Sequence, residues 1–110
     1  MSSDFKPVSI EAVNVRLWEV AFSKDVDGTA LRQHLGEPQF VERDELRTAG
    51  GEEEWWAYVT SHGFIAAVCL RVPYRLAAVC VSDPASPVVP DAVALLHPFN
   101  IVMNQEPLGR

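Results

Sequence analysis

Three apolar runs separated by short turns constrain the fold of this chain more than any other feature. The first run, residues 55–59, ends at a turn over residues 61–63, and two further runs cover residues 64–70 and 76–82. Runs of this length, rich in β-branched and aromatic residues and bounded by Gly and Pro, are typical of strands joined as hairpins. The sequence therefore predicts an antiparallel meander over residues 53–82.

Alternation along the meander assigns its apolar side chains to two faces. A two-residue turn, His62-Gly63, places Ser61 opposite Phe64 and sets the predicted register. One face then carries Trp55, Ala57, Val59, Ala66, Val68, Leu70, Ala77, Val79 and Val81. The opposite face carries Trp56, Tyr58, Thr60, Ile65, Ala67 and Cys69. Both faces are apolar, so we expect each of them to be covered by another part of the chain or by a partner.

Two short helices are predicted beside the sheet. Asp27 is a favourable N-cap and Gly36 a favourable stop, which predicts a helix over about residues 27–35. Pro90 suits a first helical turn, and the apolar spacing after it predicts a second helix over about residues 90–97.

The segments outside the meander and the helices are less sharply patterned. Residues 8–22 favour a strand with a bulge near residue 12, although their spacing also matches a helix. Residues 39–42 fit a brief strand, and residues 99–103 fit an edge strand or a docked tail.

These elements predict a single α+β domain over residues 1–110, with an antiparallel sheet of four to five strands and two short helices. We expect the helix pair to cover the face that contains Trp55. The face that contains Trp56 and Tyr58 is then left as a candidate contact surface. The alternative is that the N-terminal strand or the C-terminal tail folds over that face.

Negative charge is concentrated in one segment of the chain. The net charge is −6, and residues 37–54 contribute −5 of it through seven acidic and two basic side chains. Direct binding to nucleic acid is disfavoured, because phosphate contacts need clustered Lys and Arg. A basic protein surface is the complementary partner, since opposite potentials speed association and exclude wrong partners. The alternative is a solvated loop without a partner.

The predicted partner-binding surface combines this acidic segment with the aromatic face. We expect the carboxylates to be exposed and to meet Lys or Arg groups, while the aromatic side chains form a desolvated centre. The predicted contact residues are Glu42, Asp44, Glu45, Glu52, Glu53, Glu54, Trp56 and Tyr58.

Side chains that support catalysis or bind metal are not grouped in the sequence. His34, His62 and His97 fall on three different predicted elements, without the spacing of a metal site. Ser61 and His62 are neighbours in a hairpin and point to opposite sides, which makes them a poor catalytic pair. We therefore expect a chain that is not an enzyme and that needs no metal or cofactor.

The two cysteines lie on neighbouring predicted strands. If the turn between those strands centres on Tyr74-Arg75, Cys69 and Cys80 face one another, and if it centres on Pro73-Tyr74, Cys69 faces Ala78 instead. We prefer two buried thiols, because a reducing compartment disfavours a disulfide.

No apolar run approaches the roughly 18 residues that a membrane-spanning helix requires, so no membrane partner is expected. Residues 1–22 carry acids throughout and lack the basic start and apolar block of a secretory signal. The expected location is the cytoplasm.

Three functions fit these observations. The first is a binding protein that occludes a basic protein partner; in size, charge and lack of catalytic residues, but not in any motif, the chain resembles bacterial immunity proteins that neutralise toxins. The second is an assembly subunit that forms a homodimer or a larger oligomer through its apolar sheet face. The third is a small-ligand-binding domain with a pocket between sheet and helices, lined by Trp55 or Trp18.

Overall fold

A seven-stranded antiparallel sheet forms the centre of the fold in the computed structural model, which describes residues 4–43, 51–97 and 99–109. The strands are β1 Lys6–Pro7, β2 Trp18–Ser23, β3 Phe40–Glu42, β4 Glu53–Val59, β5 Ile65–Arg71, β6 Leu76–Val81 and β7 Val102–Gly109. The helices are α1 Gly28–Leu35 and α2 Val89–Val93, and single 3-10 turns occur at Ile10–Ala12, Val72–Tyr74 and Ala94–Leu96.

The strand order is β1-β4-β5-β6-β2-β7, and β3 also pairs with β4, along the edge that β4 shares with β1. The α+β class and the antiparallel meander are confirmed. The predicted number of four to five strands is too low. The brief strand predicted over residues 39–42 is present as β3, but β1 is not predicted, and β7 lies mostly beyond the predicted edge strand or docked tail of residues 99–103. A strand of two residues, such as β1, carries little periodicity for a sequence pattern to reveal.

The first hairpin turns over three residues instead of two, which makes the predicted register wrong by one residue. The Thr60 N–H donates to the Phe64 carbonyl at 2.9 Å, and Gly63, at a φ of 82°, donates to the Thr60 carbonyl at 3.0 Å. A three-residue loop that ends in a left-handed glycine is a common hairpin turn. Trp55 therefore pairs with Cys69, and Trp56 pairs with Val68.

The second hairpin centres on Pro73-Tyr74, so that Cys69 pairs with Ala78 and not with Cys80. Both cysteines are buried thiols without a disulfide. The structure thus adopts the second of the two registers that the sequence allows.

The larger core lies on the sheet face that carries Trp56, and the two helices cover it. The buried members of this core are Val20, Ala21, Val26, Leu31, Trp56, Phe64, Ala66, Val68, Leu70, Ala77, Val79, Val81, Ala92 and Leu96. Trp56 is only 1 % exposed, and its indole N–H donates to the Gly36 carbonyl at 2.9 Å. The prediction that the helices cover the Trp55 face is therefore wrong, because the register places Trp56 among the β5 and β6 side chains that α1 and α2 bury.

A smaller core occupies the Trp55 face, beneath the N-terminal segment. Its buried members are Leu17, Trp55, Ala57, Ala67, Cys69 and Cys80, with Val8, Ile10, Val13, Phe40 and Ile65 packed against them. Residues 8–17 of the N-terminal segment thus cover the face opposite to Trp56. On the Trp56 face, Phe5 from the start of that segment and Phe99 and Ile101 from the C-terminal tail pack against the larger core, as the alternative prediction holds in part.

The N-terminal segment forms both a turn and a strand. A 3-10 turn occupies Ile10–Ala12, and β2 follows with its register shift between Glu19 and Ala21. The predicted strand is thus confirmed only from Trp18 onward, and the predicted bulge near residue 12 is in fact about eight residues further along the chain.

The two predicted helices are present near their expected positions. The Asp27 carboxylate accepts a hydrogen bond from the Thr29 N–H at 3.0 Å, and Gly36, at a φ of 87°, ends α1. The second helix forms as α2 and the 3-10 turn Ala94–Leu96, with proline in its first turn.

A hydrogen bond ties the start of the described chain to the first hairpin turn. Asp4 contacts Ser61, and this hydrogen bond holds the pKa of the Asp4 carboxyl below its ordinary value of 3.8. The pKa of Asp4 is lower in the folded than in the unfolded state, so the carboxylate stabilises the fold at pH values above its ordinary pKa. This stabilisation is lost as the pH falls through the lower pKa of the folded state.

We expect the Ser61→Ala variant to return the pKa of Asp4 toward its ordinary value, as followed by side-chain NMR titration. Ser9→Ala, which changes an exposed serine of the same terminal segment, serves as the control and should leave the Asp4 titration unchanged. An unaltered Asp4 titration in Ser61→Ala would refute the contact.

Candidate functional site

The three consecutive glutamates are mainly structural and do not form an exposed patch. Glu53 and Glu54 are each 3 % exposed at the start of β4. Successive strand residues point to opposite faces, so Glu53 points to the Trp55 face and Glu54 to the helix-covered face. The expectation that these two carboxylates are exposed is therefore wrong.

Each buried glutamate is paired with an arginine. Arg71 Nε donates to Glu53 Oε2 at 3.0 Å, across the β4–β5 pair. Arg32, on α1, donates through Nε to Glu54 Oε1 at 3.3 Å and forms a salt bridge to the other carboxylate oxygen. The hydrogen bond to Glu54 raises the pKa of the Arg32 guanidinium above its ordinary value. These pairs fasten β4 to β5 and to α1.

The remaining predicted acidic residues lie at a sheet edge or fall outside the residues that the structure describes. Glu52 forms a salt bridge with Arg43 that is largely exposed on the arginine side. Glu42 ends β3, beside the Trp55 face. Asp44 and Glu45 fall outside the described residues.

The two predicted aromatic contact residues belong to the interior. Trp56 is buried beneath α1, and Tyr58 is half-buried, with its ring 6.4 Å from that of Phe5 in an edge-to-face arrangement. Burial raises the pKa of the Tyr58 phenol above its ordinary value of 10.0. The structure thus corrects the expectation that a Trp56–Tyr58 face is open to a partner.

A groove lies on the opposite face, over Trp55, and we refer to it as the Trp55 groove. Its lining residues are Ile10, Glu11, Val13, Val15, Leu17, Phe40, Glu42 and Trp55. Its volume of about 310 Å³ is at the lower limit of protein ligand sites. Of the predicted contact residues within the described part of the chain, Glu42 alone lines it.

Both walls of the groove are fastened to the same strand. On one side the Val8 N–H donates to the Ala57 carbonyl at 2.9 Å. On the other side the Gln39 N–H donates to the Trp55 carbonyl at 2.9 Å. The Gln39 side-chain amide also accepts from the Ala57 N–H at 3.0 Å and donates to the Ala57 carbonyl at 3.1 Å. The groove is therefore formed before any ligand enters.

The groove is apolar and acidic, and among the residues that the structure describes no Lys, Arg or His lines it. Glu11 is exposed at the 3-10 turn, and Val15 is 54 % exposed, whereas Trp55 is only 5 % exposed at its floor. An apolar floor with carboxylates at the rim suits a ligand that combines hydrocarbon with positive charge. Sequence reasoning missed Glu11, Val15 and Phe40, because their segments meet only through pairing with β4.

No cluster of three or more His, Cys, Asp or Glu side chains with metal-binding geometry occurs among residues 4–43, 51–97 and 99–109. Within those same residues, no helix has both the length and the apolar character needed to cross a membrane.

Comparisons of the chain with protein-family models, with curated proteins and with solved structures found no match.

Proposed function

We propose that this chain is a cytoplasmic binding protein that occludes a basic protein partner, in the manner of an immunity protein that neutralises a toxin, and that it acts by contact and not by catalysis. The observation that carries the proposal is the Trp55 groove, an apolar cleft whose described lining includes two glutamates and no basic side chain. The net charge of −6 favours a basic partner over the rest of the surface as well.

The proposed mechanism is steric. Long-range attraction between the acidic chain and a basic partner speeds their encounter, and the apolar lining of the groove then excludes water from the contact. Because hydrogen bonds to β4 hold both walls, little conformational entropy is lost on binding. The seated chain would cover the partner's active surface without changing shape.

The proposed contact surface differs from the surface that the sequence predicts. Burial removes Glu53, Glu54 and Trp56 from it, and Tyr58 lies on the face away from the groove. Glu42 stays within it, and Glu52, Asp44 and Glu45 remain proposed contacts of the charged periphery because they flank β3 and β4 in sequence.

The proposal can be tested by affinity capture with the tagged chain from its native host, with the double variant Glu11→Lys/Val15→Asp as the comparison. The unmodified chain should retain a basic protein that is released by high salt, and the groove variant should lose it. The control Glu106→Lys/Val102→Asp makes similar changes on the exposed β7 strand and should retain the partner. Capture of the same partner by the groove variant would contradict the proposed surface. Recovery of the tagged chain without any partner would contradict the proposed function.

Self-association is a second candidate, because β7 carries large exposed apolar side chains. Val102, Met103 and Leu108 are 48 %, 54 % and 57 % exposed on this edge strand. These side chains make the β7 edge the candidate surface for an oligomer. Light scattering coupled to gel filtration separates the two candidates, since occlusion predicts a monomer and assembly predicts a dimer that Met103→Glu dissociates.

A further inference from the structure

The size of the Trp55 groove limits what can enter it. Its volume of about 310 Å³ is small for a ligand site, since such sites commonly enclose roughly 300–1,000 Å³. A dinucleotide or a haem group would exceed it. A single long side chain, delivered by a neighbouring surface, fits this scale.

The charges around the groove favour a cation. Glu42 pairs with Glu53, and Glu53 pairs with Arg71, so that one cross-strand row holds two carboxylates and one guanidinium. Arg71 is already bonded to Glu53. Glu42 has an interaction of its own within the fold, but a carboxylate offers about four acceptor positions and can receive more than one donor. Glu11 adds a further negative charge to the lining.

The hydrocarbon and aromatic lining of the groove favours a cation that also carries apolar surface. A small hydrated ion gains nothing from Phe40, Trp55 and the aliphatic wall. Arginine carries an apolar stem and a weakly hydrated planar head, which stacks on aromatic rings and donates two parallel hydrogen bonds to a carboxylate. Lysine shares the stem but has a compact, strongly hydrated head.

Building on the proposed function, we propose that the Trp55 groove receives one arginine side chain from an extended segment of the partner protein. The guanidinium lies at the rim, where Glu11 and Glu42 accept its hydrogen bonds, and the methylene stem packs over Trp55. Apolar residues beside the arginine contact Val15, which is more than half exposed. The arginine anchors the segment in the groove, and the rest of the partner contributes area around it.

The proposal is tested with the full chain and three defined probes, followed by ¹H–¹⁵N NMR. The probes are N-acetyl-Val-Arg-Val-amide, the same peptide with the neutral isostere citrulline in place of arginine, and L-arginine amide. The arginine peptide should shift the Trp55 indole signal and the amides of residues 10–17 and 40–42. Citrulline should weaken binding roughly tenfold or more, because a charged hydrogen bond to a carboxylate is lost.

Two matched substitutions complete the test. Glu11→Gln and Glu42→Gln keep the side-chain size and should each weaken the arginine peptide, whereas Glu106→Gln, on β7, should not. Equal binding of the citrulline peptide would overturn the proposal, as would shifts outside the groove or none at about 10 mM probe. Equally strong binding of L-arginine amide would overturn the assignment of the occupant to a protein segment. Each of these failures leaves the affinity-capture test of the proposed function intact, because a protein partner can use the groove without an arginine.

Discussion

Replacing Trp56 with alanine should lower the free energy of unfolding by about 3–5 kcal/mol, the largest loss that we expect from a single substitution in this chain. The side chain is 1 % exposed within the core beneath α1 and α2. Its removal leaves a cavity that the surrounding side chains fill only in part, and it leaves the Gly36 carbonyl without its indole donor.

Urea unfolding followed by circular dichroism measures this loss directly. Trp56→Phe keeps an aromatic ring and removes the hydrogen bond, so it should lower the free energy of unfolding less than Trp56→Ala does. If the alanine variant does not fold, the phenylalanine variant should still do so. Trp18→Ala is the matched control, because Trp18 is only partly buried on β2, beneath Arg16. A fully stable Trp56→Ala variant that fails to capture a partner would show that Trp56 is a contact residue, as the sequence predicts and the structure does not.

Removing the arginine of the Glu53–Arg71 pair should cost more than removing the charge of its glutamate. Arg71→Ala leaves a carboxylate that is 3 % exposed without its cation, whereas Glu53→Gln leaves a guanidinium that is 42 % exposed and can turn toward water. We expect a loss of about 2 kcal/mol for Arg71→Ala, below the usual cost of breaking a fully buried pair because water reaches the arginine. Glu53→Gln should cost about half as much.

The comparison uses the same unfolding assay, with the Glu52–Arg43 pair as its control. Arg43 is 75 % exposed, so Arg43→Ala should change stability by at most about 0.5 kcal/mol. Equal stability of Arg71→Ala and Arg43→Ala would mean that Glu53 is solvated. A larger loss in Glu53→Gln than in Arg71→Ala would mean that the buried carboxylate does not need its partner.

Local signals in the sequence were sufficient for the fold class and for the individual elements. Asp27 and Gly36 cap α1 as their chemistry predicts, and alternating apolar residues define β4, β5 and β6. These signals are local because a cap or a strand depends on residues close together in the chain.

The predicted sheet faces are wrong because the length of the first turn is predicted wrongly, and this length sets the pairing of whole strands. Including Ser61 in the first turn shifts the β4–β5 register by one residue and exchanges the β5 side chains that face Trp55 and Trp56. Both turn lengths are compatible with glycine at position 63, so composition alone does not distinguish them.

The candidate site was largely beyond sequence reasoning. Three consecutive glutamates are usually solvated, but the partner of Glu54 is Arg32, 22 residues earlier, and the partner of Glu53 is on the next strand. The Trp55 groove joins residues 10–17 to β3 and β4. The sequence singles out Glu42 as an acidic contact and Trp55 as the lining of a pocket between sheet and helices, but it does not bring the two residues together.

Hydrogen–deuterium exchange on the chain, alone and with its captured partner, tests the central claim most directly. We expect the partner to slow exchange in residues 10–17 and 40–42, which form the walls of the Trp55 groove, and to leave β7 unchanged. Protection confined to β7, or unaltered exchange at the groove in a saturated complex, would contradict the account and place the binding surface elsewhere on the fold.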